Sequence, residues 1–236
     1  MKCVDTQAMY MLSVQLSMRW DNTYFVSVSV RPESVAELLP AGLSVDCFEG
    51  EAYLSVVGFE MRGIRPRGTP RWLGRSFVEI NLRTYVMDSE GRRGIYFFSL
   101  DADDVLSVAF ARRLTYLPYR TTEASLTRSG QEVRSKNVVG GEQTFSLAAR
   151  VHERIHTPCA KDRFLCERYR FYTEHRGELF VGVVEHEPWQ LRRVEAVVEE
   201  PFIFDVGSVD VPDEFHVVFS DGVAVETVRF HVLDTV

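Results

Sequence analysis

Three side chains able to do chemistry stand at alternate positions: Glu79, Asn81 and Arg83, interleaved with Val78, Ile80 and Leu82. On an extended strand, residues two apart share a face at intervals of about 6.5–7 Å, so the carboxylate, amide and guanidinium form one row and the aliphatic residues the other. Facing an enclosed space, the polar row would form a binding site. Facing solvent it would not, and the aliphatic row would fill the core; alternation alone admits both. A second constellation comprises Glu167-Arg168-Tyr169 and Glu185-His186-Glu187-Pro188-Trp189, on segments that read as the arms of one hairpin. Imidazole titrates near neutral pH, which gives His186 the chemistry of a general base. A lone histidine beside two glutamates and a tryptophan is more often a hydrogen-bonded structural residue.

His152-Glu153-Arg154-Ile155-His156 is a literal H-E-x-x-H, in which two histidines one helical turn apart bind zinc and the glutamate polarises water. That chemistry requires a helix. Leu147, Val151 and Ile155 recur every four residues, but Phe145, Leu147, Ala149, Val151 and Ile155 also fit strand alternation, and Thr157-Pro158 ends any helix directly after the second histidine. On a strand the imidazoles stand about 13 Å apart, too far to share one ion. No metal is expected here. A zinc hydrolase would have to draw its third ligand from Glu167, Glu174 or Glu185.

Of the 27 basic residues only Lys2, Lys136 and Lys161 are lysines, and the other 24 are arginines. Amine nucleophiles are scarce, whereas planar guanidinium forks for carboxylates and phosphates abound. Arg62, Arg65, Arg67, Arg71 and Arg75, punctuated by glycine and proline and joined by Trp72, read as a basic loop. A net charge of −7 and the lack of a nucleic-acid-binding motif favour a solvated loop whose arginines pair with surplus acids over a phosphate or RNA contact. The length and glycine content of this loop also suit a segment gating a cavity mouth. No nucleophile elbow, phosphate loop or dinucleotide fingerprint occurs, and no cofactor is expected.

The elements that must position these residues are mainly strands. Period-two alternation marks residues 24–30, 52–59 and 77–87, and hairpin turns are expected at Glu49-Gly50, Ser89-Glu90-Gly91, Ser129-Gly130, Arg176-Gly177 and Asp221-Gly222. About ten strands are expected. Two short helices interrupt them, over residues 32–39 and 103–114, the second with Val105, Leu106, Ala109, Phe110 and Leu114 facing inward. With 236 residues, 45% of them hydrophobic and no linker-like stretch, the chain reads as a single domain over residues 1–236. Many strands with few helices suggest a barrel or a strongly curved sheet, because closure removes exposed edges. No apolar run of about 18 residues occurs, so no membrane span is expected. Residues 8–18 read as a strand rather than an export signal, and Cys3, Cys47, Cys159 and Cys166 form no Cys-x-x-Cys pair. A cytoplasmic protein with free thiols is expected.

Several blocks read together: Met18-Arg19-Trp20-Asp21-Asn22, Leu39-Pro40-Ala41-Gly42-Leu43, Gly58-Phe59-Glu60-Met61-Arg62-Gly63, Glu79-Ile80-Asn81-Leu82-Arg83-Thr84-Tyr85-Val86, Ile95-Tyr96-Phe97-Phe98-Ser99-Leu100-Asp101, Leu117-Pro118-Tyr119, Glu167-Arg168-Tyr169 and His186-Glu187-Pro188-Trp189. From about Arg19 to the C-terminus the chain resembles the YqjF-like proteins, a domain-of-unknown-function family (number 2071). That family is itself similar to the acetoacetate decarboxylase superfamily. The resemblance implies a cone-shaped antiparallel β-barrel around a closed, largely apolar cavity, and no settled activity.

In the decarboxylases a helix leads into a segment whose first lysine forms a Schiff base and whose second lowers its pKa. Here the corresponding stretch is Leu117-Pro118-Tyr119-Arg120. A phenol cannot condense with a ketone to give an electron-sink iminium, so the resemblance implies the cavity without Schiff-base decarboxylation. Lys136 and Lys161 read as solvated and do not replace the missing amine. Glu79 resembles the strand glutamate near that lysine, which sets Glu79, Asn81 and Arg83 toward the cavity. Tyr119 would then be a hydrogen-bond donor, Arg120 a carboxylate fork and Glu79 a proton acceptor or ion-pair partner. The ligand-binding candidates are thus Glu79, Arg83, Tyr119, Arg120, Glu167, His186 and Trp189. The expected partner is a small organic acid or carbonyl compound, with neither nucleic acid nor membrane. A homo-oligomer is compatible with the sequence, and whether the protein is an enzyme stays open. The competing reading is a non-catalytic module in which arginine–glutamate pairs only lock the barrel.

Overall fold

The alternating segments form one sheet of thirteen strands in a computed structural model, which describes residues 15–199, 209 and 212–233. In chain order the strands are β1 (Leu16–Val30), β2 (Leu43–Val45), β3 (Ala52–Pro66), β4 (Arg75–Asp88), β5 (Arg93–Ala102), β6 (Tyr119–Thr121), β7 (Glu123–Ser129), β8 (Glu132–Val139), β9 (Glu142–Arg154), β10 (Arg170–His175), β11 (Glu178–Glu185), β12 (Leu191–Glu199) and β13 (His216–Val232). The described residues also form helices α1 (Pro32–Ala36), α2 (Val105–Thr115) and α3 (Ala160–Cys166). Residues 8–14 of the first expected strand lie outside the described residues, and β1 begins at Leu16.

Passing from β1 through β3, β4, β5, β10, β11 and β13 leads back to β1, so seven strands close a ring. The ring departs from the expected all-antiparallel barrel at one seam, where β10 runs parallel to β5 with Phe171 opposite Ile95. Between these two strands the chain makes a long excursion, and a parallel pair requires such a crossover. Strands β12, β9, β8 and β7 continue from β13 as a second layer, with β7 lying over β3, β4 and β5.

This second layer covers the outer face of β1, β3 and β4. Tyr24, Val26 and Val28 of β1, Leu54 and Val56 of β3, and Ile80 and Leu82 of β4 point outward and pack on Leu126, Phe145, Leu147 and Val151. Their alternate neighbours therefore point into the ring. There Phe25, Val57, Phe59 and Tyr85 form a second core with Phe164, Leu165 and Cys166 of α3. Helix α3 is held by a reciprocal cap. The Cys159 sulfur accepts from the Asp162 N–H at 3.4 Å, and the Asp162 carboxylate accepts from the Cys159 N–H at 2.8 Å. Its last turn enters the ring, where the Leu165 carbonyl accepts from Tyr85 OH at 2.9 Å. Ser27, Ser55 and Tyr85 form a hydroxyl chain at 2.7 Å spacings leading to that carbonyl.

Four expectations are corrected. Helix α2 is capped by Asp104, whose carboxylate accepts the Leu106 N–H, but Val105, Leu106 and Phe110 are 62%, 66% and 59% exposed. Val108 is buried among the described side chains of the helix, and that of Leu114, also expected to face inward, lies outside them. Asp221-Gly222 is no hairpin but part of continuous β13. Gly222 takes φ 138° against Asp21, where a Cβ would meet the Asp21 carboxylate at 2.4 Å. The basic loop is strand at both ends: β3 runs to Pro66, a 3-10 turn covers Arg71–Leu73, and β4 starts at Arg75. There Arg62 pairs with Glu60 at 2.6 Å, Arg67 with Glu226 at 3.4 Å and Arg75 with Asp104 at 2.8 Å. The strand count rises to thirteen, three-residue β2 and β6 among them, segments too short to show periodicity. Among the described residues no helix is long and apolar enough to cross a membrane.

Candidate functional site

Glu79, Asn81 and Arg83 line the ring interior and are buried, with exposures of 3%, 2% and 8%. Strand β6 brings Tyr119 to them, since β6 pairs with β5 so that Tyr119 lies opposite Leu100, itself opposite Asn81. Tyr119 OH donates to Glu79 Oε2 at 2.8 Å, and Asn81 Nδ2 donates to Oε1 at 3.3 Å. Burial drives the Glu79 carboxyl up from 4.5 to about 7; the two hydrogen bonds oppose this and the field of Asp101 adds to it. Burial and the adjacent carboxylate push the Tyr119 phenol well above its ordinary range. Near neutral pH the pair thus holds the phenol proton firmly and shares a second, exchangeable proton on Glu79.

Arg83 is a buried cation without a carboxylate among the described residues. Its Nη2 donates to the Leu165 carbonyl at 3.1 Å, its Nε has no hydrogen-bond partner, and its guanidinium lies 5.5 Å from the Phe25 ring centroid and 5.8 Å from that of Tyr85. Aromatic faces and one carbonyl compensate a buried charge only in part. Asn81 Oδ1 is likewise buried without a partner.

Arg120 does not join this group. Adjacent strand residues point to opposite faces, so Tyr119 enters the ring while Arg120 leaves it. Its guanidinium forks onto Asp101, with Nε to Oδ1 at 2.7 Å and Nη2 to Oδ2 at 2.9 Å. Asp101 also accepts from Asn137 of the second layer at 2.6 Å. The expected carboxylate fork beside Tyr119 is a brace between layers instead.

Glu167, His186 and Trp189 form a separate cluster. Glu167 accepts the Trp189 backbone N–H on Oε1 at 3.0 Å and the Tyr169 hydroxyl on Oε2. The His186 ring lies against Tyr169, Trp189 and Trp20 at centroid distances of 4.7, 5.0 and 6.0 Å, with Nδ1 2.7 Å from the Glu187 carbonyl. Burial lowers the His186 pKa. Trp189 is buried and stands 5.2 Å from Phe25, edge to face. Phe25 is thus the neighbour shared by Arg83 and Trp189, and it joins the two clusters.

The H-E-x-x-H segment is strand through Arg154, with His152 Nε2 3.4 Å from Glu195 and Glu153 3.2 Å from Arg193. Among the described residues no group of three or more histidine, cysteine, aspartate or glutamate side chains is placed to hold a metal. Lys136 is exposed on β8. Lys161 lies on α3, with its ammonium 5.5 Å from the Tyr53 ring centroid. A hollow of about 620 Å³ opens on the surface, walled by Glu167 but by none of Glu79, Arg83 and Tyr119.

Sequence reasoning missed helix α3 and the buried pair behind it, Arg168 Nη1 to Asp46 Oδ2 at 2.7 Å. The helix had a signal: Cys159 with Asp162 three residues on, a capping spacing that the sulfur disguises. The pair, 122 residues apart in sequence, had none.

The family model DUF2071, described as an uncharacterized conserved protein, matches residues 17–224. The uncharacterized protein YqjF of Bacillus subtilis strain 168 is 34% identical over 199 residues, 82% of each chain. Among solved structures, the enduracididine biosynthesis enzyme MppR complexed with pyruvate matches with a TM-score of 0.69 at 14% identity, covering 93% of this chain and 90% of that one. An acetoacetate decarboxylase-like enzyme from Sphingomonas wittichii RW1 matches with a TM-score of 0.67 at 16% identity, covering 95% and 94%. Acetoacetate decarboxylase from Legionella pneumophila matches with a TM-score of 0.68 at 10% identity, covering 92% and 87%. Identities this low speak for fold alone, and the fold is acetoacetate decarboxylase-like. By its family match and its likeness to YqjF, the chain belongs to the DUF2071 family of uncharacterized conserved proteins.

Proposed function

We propose that the ring interior binds a small organic carboxylate or carbonyl compound, with Arg83 as the anchor for the carboxylate and the Glu79–Tyr119 pair as the proton-bearing contact for a carbonyl oxygen. The observation that carries this reading is Arg83: a guanidinium 8% exposed, without an ion pair among the described residues, on the same inward face as a carboxyl raised to about 7. A buried cation is costly unless an anion compensates it, and a planar fork suits a carboxylate. MppR, a neighbour in fold, is described in complex with pyruvate, which is both a carboxylate and a ketone.

The chemistry open to such a site is acid–base chemistry without an imine. Tyr119 OH or protonated Glu79 can donate to a carbonyl oxygen and polarise it, and ionised Glu79 can accept a proton. Tyr119 supplies no amine for Schiff-base decarboxylation. Thermal-shift screening of pyruvate, acetoacetate and acetate tests the proposal. The expected result is stabilisation of the wild-type protein by the keto acids beyond acetate, reduced in Glu79→Gln and lost in Arg83→Met. Equal shifts in all three proteins would remove these residues from the site and favour the non-catalytic module, for which the Arg120–Asp101 and Arg168–Asp46 braces speak.

A further inference from the structure

We infer that the surface hollow beside α3 is a second site, separate from the ring interior, that takes a small polyvalent anion bearing two or more phosphate or carboxylate groups. The hollow encloses about 620 Å³, within the range of small-molecule sites, and four arginines line it: Arg93, Arg163, Arg168 and Arg170. This concentration of positive charge occurs on a chain whose net charge is −7. Clefts in which one sign of charge predominates focus the field and draw in counter-ions.

The acids nearby offset it only in part, two carboxylates, Glu167 and Asp46, standing against four guanidiniums. Glu167, the carboxylate in the wall, has both oxygens engaged, one by the Trp189 N–H and one by the Tyr169 hydroxyl. Asp46 is 1% exposed and holds Arg168 Nη1 at 2.7 Å, with Arg93 Nε farther off at 3.6 Å. Arg163 and Arg170 are exposed and have no carboxylate partner among the described residues. Arg163 is oriented by the Pro158 carbonyl, to which its Nη1 donates at 2.5 Å. Some exposed arginines of this chain do pair with acids, as Arg19 does with Asp21, Arg75 with Asp104 and Arg128 with Asp221. Two unpaired forks with Arg93 across one hollow would engage separate anionic groups of a single ligand, whereas a monovalent anion would use one fork.

Calorimetric titration of inorganic pyrophosphate, citrate and acetate at constant ionic strength tests the inference. The proteins compared are wild type, Arg163→Ala/Arg170→Ala and Arg83→Met, with melting temperatures confirming the fold of each variant. Pyrophosphate, citrate or both are expected to bind wild type at least about tenfold more tightly than acetate, the preference between them identifying a phosphate or carboxylate ligand. The double variant should lose about tenfold or more, and Arg83→Met should bind these probes as wild type does. Absence of polyanion binding to wild type, unchanged affinity in the double variant, or loss of affinity in Arg83→Met would each overturn it. The last would move the polyanion into the ring interior and leave the Arg83 proposal standing.

Discussion

Glu79→Gln is expected to leave stability unchanged near pH 4 and to raise it by about 3 kcal/mol at pH 8, measured by urea unfolding across that range. The sign follows from where the proton is lost. The unfolded carboxyl ionises near 4.5, whereas the folded one keeps its proton to about 7 because it is buried beside Tyr119, Asn81 and Asp101. Between these values the native state binds more protons than the unfolded state, so wild-type stability falls as pH rises, then levels off above pH 7. Glutamine is isosteric and keeps an acceptor for the Tyr119 hydroxyl. With the Asn81 amide turned over, the glutamine N–H also gives a donor to Asn81 Oδ1, which is buried without one. Parallel pH profiles for the two proteins would mean that Glu79 is an ordinary solvated carboxylate.

Asp46→Ala is expected to destabilise the protein by about 3–5 kcal/mol, because it strands the Arg168 guanidinium in the interior. The side chains of this pair are 4% and 2% exposed, and Arg168 also donates through Nε to the Phe164 carbonyl at 2.7 Å. That bond fastens the end of α3, whose Leu165 carbonyl receives Arg83 and Tyr85. The pair therefore holds in place the helix that faces the candidate site. Replacing both members, Asp46→Ala with Arg168→Met, removes the stranded charge and should recover most of the loss. A single variant within about 1 kcal/mol of wild type would show that the pair is solvated and weak.

What the sequence made legible was local. The alternation of Val78-Glu79-Ile80-Asn81-Leu82-Arg83 separates the polar row from the aliphatic row, and the turns at Glu49-Gly50, Gly91, Gly130 and Arg176-Gly177 show positive φ as their composition requires. Which row faces inward depends on the layer β7–β9 covering the outer face, and no property of β4 itself encodes that. Ring closure rests on β10 pairing with β5, 76 positions apart at Phe171 and Ile95, and on β13 returning to β1. Periodicity carries no trace of such long-range pairing. The outward turn of Arg120 was accessible in principle: once Tyr119 is assigned to a strand, its neighbour must point the other way. The exposed Val105, Leu106 and Phe110 show the converse, an apolar helix pattern that the ring does not cover.

The central claim is that Arg83 is a buried cation awaiting a carboxylate inside the ring. Calorimetric titration of pyruvate into wild type and Arg83→Met tests it most directly. The account predicts binding to wild type and an affinity at least about 100-fold lower in Arg83→Met, the worth of one forked, charge-assisted contact, with the variant no less stable than wild type in the absence of ligand. Equal affinities in the two proteins, or no binding to wild type, would contradict it.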